Sequence, residues 1–303
     1  MKKIIGVLFC LLLVGAMVFT ALALPETRCK LMPSEPNELD DAKEVSLELV
    51  YTGTKPKGVG SVQSLAITGE HFVIAARPRG PAALGGETNN QLIIIDRDLM
   101  KDVTSDYIAK GTTYELGHAN GMTYNPDKNE LAVVGISNDE GDREMVVRID
   151  ASDFSVISTD KMPCYGSGVA YNARFGYYMV RSGYTLTRAS DLPGIKKEEQ
   201  TVETEFTIQD IGYYNGYSYL CNWVKDASCE RAKNLGLKKN QNILYKVDSN
   251  GVIVQVFLLT EPREELESID FADGEAYVLM NGIGNDSKKF FIYRVEFDSE
   301  DLK

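Results

Sequence analysis

VQSLAI at 62–67 decides the fold, because its pattern returns as ANGMTY at 119–124, GSGVAY at 166–171, IQDIGY at 208–213 and LESIDF at 266–271. In each copy large apolar residues take alternate positions: Leu65 and Ile67, Met122 and Tyr124, Val169 and Tyr171, Ile211 and Tyr213, Ile269 and Phe271. The residues between them are mostly small. Period-two alternation places the two sets on opposite faces of a β-strand. A strand with one small face suits the crowded axis of a ring. One phrase repeated five times predicts five repeating units, which a tandem of immunoglobulin-like sandwiches would not require.

Each phrase opens a block of strands. After the first come a Gly-Glu turn, HFVIAA (71–76), a loop rich in Gly, Pro and Asn, QLIIID (91–96) and a polar alternating stretch near 99–108. That is four strands, the content of one propeller blade. The second block continues with ELAVVG, EMVVRID and FSVIST, the third with GYYMVR, TLTRAS and QTVETEF, and the fourth with YSYLCNW, NILYKVD and VIVQVF. The fifth supplies only AYVLMN and FFIYRVEF, and the strand it lacks is VSLELVY at 45–51, ahead of the first phrase. The expectation is an all-β, five-bladed β-propeller of four-stranded antiparallel blades over 45–298. The N-terminal strand (45–51) closes the ring by joining the last blade, which removes an exposed edge. Only Ala227 to Leu235, inside one loop, carries a helical period.

The phrase, turn and strand unit resembles the blades of secreted bacterial propellers of the NHL and SMP-30 type, in a five-blade version like that of arabinanase-type glycosidases. The resemblance covers about residues 45–298. Its motifs are generic, so what it implies is a fold and not a specific activity.

Composition narrows the partners. The formal charge of −12 opposes a nucleic-acid backbone or an anionic membrane surface, both of which need a basic patch. Lys2 and Lys3 precede an uncharged apolar run from Ile4 to Ala23 that ends in Ala21-Leu22-Ala23, a small-x-small cleavage pattern. Residues 1–23 are read as a signal peptide or, since the run reaches the ~20 residues a membrane helix needs, as a signal anchor. The protein is expected to be secreted or held on the extracellular face of the membrane, touching membrane only through that segment, and monomeric. Residues 24–44, with three prolines and several acids, read as a flexible leader. Residues 299–303 read as a C-terminal tail.

In a propeller the starts of the inner strands and the ends of the second strands share one face. The inner strands open with Gln63, Asn120, Ser167, Gln209 and Glu267, and the second strands end near Arg77, Arg181, Asn222 with Trp223, and Asn281, with Arg79 following. These are the expected ligand-binding residues. Paired arginines in an acidic protein suit a carboxylate or uronate, and Trp223 a sugar or peptide ring. His118, just before Asn120, and Glu267 are the candidate catalytic groups. Calcium is the candidate cofactor, on Glu267 and Asn120 with amide oxygens of Gln63 and Gln209, or on the acidic run at 138–142. The resemblance to SMP-30-like metal lactonases implies Glu, Asn and Asp ligands, but the opening positions contain no Asp. Glycoside hydrolysis needs two flanking carboxylates, and only Glu267 stands in that ring. Asp210 and Asp270, in the small phase, are read as ties between blades.

No nucleophile elbow, P-loop, dinucleotide fingerprint or HExxH motif occurs. Cys29, Cys164, Cys221 and Cys229 allow three pairings, of which a Cys221–Cys229 bond pinning the 222–240 loop is favoured. The function expected is extracellular binding of a polar ligand, glycan or protein. The competing expectation is a hydrolase, or a metal-dependent lactonase- or glycosidase-like enzyme, working at the channel mouth.

Overall fold

The computed structural model describes residues 42–79, 90–98, 108–135, 144–162, 166–182, 185–192, 208–225, 227–228, 230–249, 251–260 and 264–303. They form a five-bladed β-propeller. After β1 (Ala42–Val45) and β2 (Leu47–Thr54), the first blade comprises β3 (Val59–Ile67), β4 (His71–Pro78), β5 (Asn90–Asp96) and β6 (Ile108–Tyr114). The second is β7 (Gly121–Asn125), β8 (Glu130–Gly135), β9 (Met145–Asp150) and β10 (Val156–Lys161). The third shows β11 (Gly168–Asn172), β12 (Tyr177–Ser182) and β13 (Thr185–Ala189). The fourth is β14 (Ile208–Tyr214), β15 (Tyr217–Val224), β16 (Gln241–Val247) and β17 (Ile253–Leu259). The fifth is β18 (Glu265–Ala272), β19 (Glu275–Asn281) and β20 (Lys289–Val295), completed by β2.

β2 pairs antiparallel with β20, from Leu47 opposite Val295 to Thr54 opposite Lys289, so the ring closes by the strand the sequence supplied for it. The innermost strands β3, β7, β11, β14 and β18 carry the five phrases, and each touches the next round to the first. Their large phase fills the space between blades. Leu65 and Ile67, with Ile74 and Ile93 of the first blade, pack on Tyr51, Leu279, Phe290 and Ile292 of the fifth.

The small phase has a second task. An innermost strand has no partner on its axial side, and a buried orphan N–H costs about 1–3 kcal/mol. Side chains of the neighbouring blade supply acceptors: Leu65 N–H donates to Ser268 Oγ at 3.0 Å, Ile67 N–H to Asp270 Oδ2 at 2.7 Å, and Tyr171 N–H to Thr123 Oγ1 at 2.9 Å. Ser268 Oγ in turn donates to Asp210 Oδ2 at 2.6 Å. Asp210 and Asp270 therefore do tie blade to blade. Where the second and third blades meet, the position must be glycine, since a Cβ on Gly121 would stand 2.6 Å from the Gly168 Cα.

Several local expectations shift. The outer strand of the first blade runs over Ile108–Tyr114 and not 99–108; residues 99–107, like the expected outer strand at 200–206 of the third blade, lie outside the described residues. Strand order begins at Ala42 and not at 45, because β1 pairs in parallel with β17 and covers the edge of the fourth blade. Residues 1–41, with the signal and most of the leader, lie outside the described residues. The 299–303 tail is docked: the Asp301 carboxylate accepts from Lys43 Nζ at 2.7 Å and its carbonyl from Lys246 Nζ at 2.6 Å. The helical period in the fourth blade's loop becomes a short helix, α1 (Glu230–Asn234).

The Cys221–Cys229 bond is not formed. Cys221 is a free thiol buried on β15, facing Leu244, Phe257 and Ile269 between the fourth and fifth blades. Alternation along the strand points it into the core and away from the loop. Cys29, Cys164 and Cys229 lie outside the described residues, as does the acidic run at 138–142. Among the described residues no helix is long and apolar enough to cross a membrane.

Candidate ligand site at the channel mouth

Strand register brings the expected site residues to one end of the ring. Glu265 stands opposite Asn281, Ser61 opposite Arg77, Gly168 opposite Arg181 and Ile208 opposite Asn222. His118 precedes β7, Lys225 follows β15, and Lys55 follows β2. This end is the channel mouth.

Glu267 is a buried carboxyl of this mouth. The residue is 6% exposed, and its carboxyl accepts a short hydrogen bond from Asn281 Nδ2. Burial, reinforced by the charge of Glu265, pushes its pKa well above the usual carboxylate range, against smaller opposing effects of the Asn281 bond, Lys55 and Arg77. Glu265 is also raised, mainly by burial, although Lys225, Lys55 and Arg77 all pull it down. Burial lowers the pKa of Lys55, whose ammonium feels both glutamates. Carboxyls and cations therefore share one partly desolvated mouth.

Arg77 holds His118. Its Nη1 lies 2.7 Å from Nε2 of the imidazole, whose pKa burial and the Arg77 charge lower to about 4. His118 is neutral at pH 7 and offers a lone pair. Arg79 is exposed at the rim, its N–H bonded to Gly58 O at 2.7 Å.

Other expected ligand groups are tied into the frame. Asn281 brackets the Val62 peptide, accepting from its N–H at 3.0 Å and donating to its carbonyl at 2.9 Å, so it links the fifth blade to the first and fixes Glu267. Gln63 donates to Ser61 Oγ at 3.0 Å and Val62 O at 2.7 Å. Ser167 turns its N–H onto Arg181 O at 2.8 Å and closes the entry to the third blade. Arg181 is 9% exposed, and its charge acts on buried Asp210. Asn120 and Gln209 are half-buried at the entries of β7 and β14. Asn222 is fully buried and donates to Leu220 O at 2.9 Å, while its Oδ1 has no hydrogen-bond partner. Trp223 is half-buried with its indole N–H unpaired, and the Lys225 ammonium sits 5.7 Å from its ring centre.

Two positioning residues escape a reading based on the phrase alone. Asn90 and Asn242 open the third strands of the first and fourth blades, both fully buried. Asn90 donates to Gly117 O at 2.9 Å and accepts from Leu116 N–H at 3.2 Å, fixing the turn that presents His118. Asn242 does the same for Glu264 O at 2.7 Å and Leu266 N–H at 3.3 Å, fixing the entry that presents Glu265 and Glu267. Their signal was a second, shorter repeat: an asparagine just ahead of LIIID and of ILYKV.

Among the described residues no group of three or more His, Cys, Asp or Glu side chains is placed to hold a metal ion. Calcium at Glu267 would work against the burial that favours the neutral carboxyl, and would draw on Asn120, the other amides and water for its remaining ligands.

No family model and no curated protein matches the chain. Among solved structures it is similar to the glutaminyl cyclase of Myxococcus xanthus, with TM-score 0.50 and 14% identity over 84% of this chain and 98% of that one. It is also similar to an exo-β-1,3-galactanase from Clostridium thermocellum, with TM-score 0.50 and 12% identity over 82% of this chain and 64% of that one. At this identity the likeness is one of fold.

Proposed function

We propose that this propeller is an extracellular binding protein whose channel mouth takes a small carboxylate-bearing ligand, such as a uronic acid. The observation that carries the reading is the gathering of Lys55, Arg77 and Lys225 round two glutamates, of which Glu267 is buried and favours its neutral form. A protonated Glu267 adds no negative charge and can donate a hydrogen bond. The His118 contact orients the guanidinium of Arg77 for a bidentate grip on a carboxylate. Trp223 offers a ring face beside the same mouth, and the apolar run at 4–23 supplies the means of export.

The test is a thermal-shift titration with trigalacturonate and, as its neutral counterpart, galactotriose, since a ligand bound only by the folded state raises its stability. The acid should raise the melting temperature, the neutral sugar should not, and Arg77→Ala should remove the effect. Equal shifts, or none, overturn the reading. Export is tested by N-terminal sequencing of protein recovered from culture medium, which should begin at Leu24.

A second reading rests on the opposite directions in which Glu267 and His118 are pushed. Burial favours the protonated form of Glu267, a proton donor, and the neutral form of His118, whose Nε2 would have to leave Arg77 to take a proton; the pair, both near Arg77, would then serve as general acid and general base. In that case the protein hydrolyses its ligand. Mass spectrometry of trigalacturonate after incubation would show shorter products, absent with Glu267→Gln or His118→Gln.

A further inference from the structure

At the other end of the channel, where the five phrases finish, the blades enclose a cavity of about 370 Å³. Its walls come from all five blades, and five aromatic residues, Tyr124, Tyr171, Tyr213, Tyr214 and Phe271, end their inner strands there. The carboxyl of Asp270 lines the same space. We propose that this cup is a second binding site, distinct from the mouth, for a small organic cation such as a primary or quaternary amine, with Asp270 as its counter-ion.

Three of the four tyrosine hydroxyls already have partners in the protein. Tyr171 donates to the Asp127 carboxylate, Tyr124 to Asn129 Oδ1 at 3.0 Å, and Tyr213 shares a 3.0 Å bond with the hydroxyl of Tyr177. Tyr214 stacks on Phe271 with ring centres 5.1 Å apart. What these residues offer a guest is ring surface, and ring faces attract cations. A sugar would have to share hydroxyls of which three already have partners.

Charge points the same way. Asp270 accepts from the Ile67 N–H at 2.7 Å and from the Phe271 N–H at 2.9 Å, which fixes its plane and leaves further lone pairs on both oxygens. Burial raises its pKa to about 7, so an incoming cation would pull it toward the charged form. Asp127 adds a second carboxylate near the cup through Tyr171. The Arg174 guanidinium also lines this space, 5.1 Å from the ring centre of Phe175, both residues exposed, so a guest cation meets one positive group at the rim and the Asp270 carboxyl as its counter-ion.

The experiment compares choline with its uncharged isostere 3,3-dimethylbutan-1-ol, by isothermal titration calorimetry on the purified chain at pH 8. Choline should bind at least tenfold more tightly than the alcohol. Asp270→Asn should weaken it at least tenfold, and Val156→Ala, on the exposed outer strand of the second blade, should leave it unchanged. If Asp270→Asn fails to fold because one backbone N–H loses its acceptor, Tyr214→Leu serves instead and should weaken choline at least fivefold. Equal binding of the two probes, no binding of choline, or indifference to the cup substitutions overturns the proposal. Because the mouth is tested with an acid and the cup with a cation, failure of one leaves the other standing.

Discussion

Arg77 Nη1 lies 2.7 Å from Nε2 of His118, a contact that is a hydrogen bond only while that nitrogen is unprotonated. The arginine's charge thereby opposes protonation of the imidazole, and burial does so more strongly. The unfolded chain takes up this proton near pH 6.5 and the fold resists until about 4. The contact therefore contributes stability that is complete above pH 6.5 and lost as pH falls toward 4. His118→Gln keeps an acceptor and removes the titration. From pH 7.5 to 4.5 the wild type should lose about 1–3 kcal/mol relative to the variant, read from urea midpoints. A difference that does not vary with pH would refute this.

Glu267 has the opposite sign. Its pKa is raised in the fold, so its neutral form is favoured, and stability falls as pH rises from the unfolded value of 4.5 toward the raised one. Glu267→Gln retains the shape and cannot ionise. Its melting temperature should match the wild type near pH 4 and exceed it progressively toward pH 9. A variant less stable at every pH would mean that the carboxylate form is the one the mouth is built to hold.

Asn90 and Asn242 each satisfy one donor and one acceptor of the following blade's entry. Replacing either with alanine leaves two backbone groups without partners, at a cost of about 2–4 kcal/mol by chemical denaturation. Hydrogen exchange should separate the pair: Asn90→Ala speeds exchange at Leu116, and Asn242→Ala at Leu266. Uniform acceleration in both variants would argue against local positioning.

Gly121→Ala places a methyl group 2.6 Å from the Gly168 Cα and 2.7 Å from the Val169 N, both backbone atoms that cannot swing aside. The substitution should cost about 3 kcal/mol or more. Gly69→Ala is the control, because nothing lies within 4 Å of its added carbon. It should change stability by less than about 0.5 kcal/mol. Melting curves of the two variants decide the matter.

Period-two alternation made the inner strands legible, because one face had to be small for a reason that acts at every copy. Ring closure was legible for a related reason: the fifth blade lacked a strand and VSLELVY had no other place. The outer strand of the first blade was misplaced because its polar face carries little hydrophobic signal to fix where it starts. Cys221 misled because spacing along the chain does not say which face of β15 a side chain takes; pairing with β16 sets that. Counting strand starts and ends placed the candidate residues at one end of the ring, where the register also puts them. The division of labour within it was not legible, since Asn281 and Arg181 owe their roles to neighbours far along the chain. The aromatic cup was hidden in plain view: its tyrosines satisfied β-propensity, and only the meeting of five strand ends made them walls.

Lys43 bonds to the Asp301 carboxylate at 2.7 Å, so a single side chain spans the gap between the first and last described segments. The order of blades round the circle is thus separable from their order along the polypeptide. A short linker from Lys303 to Ala42 would make the backbone topologically endless, and the scission could move to another exposed hairpin, such as Asp273-Gly274, without changing which strands meet. The velcro of β2 and β20 would then become an ordinary covalent blade, and the seam of the ring would lie wherever the new break was placed.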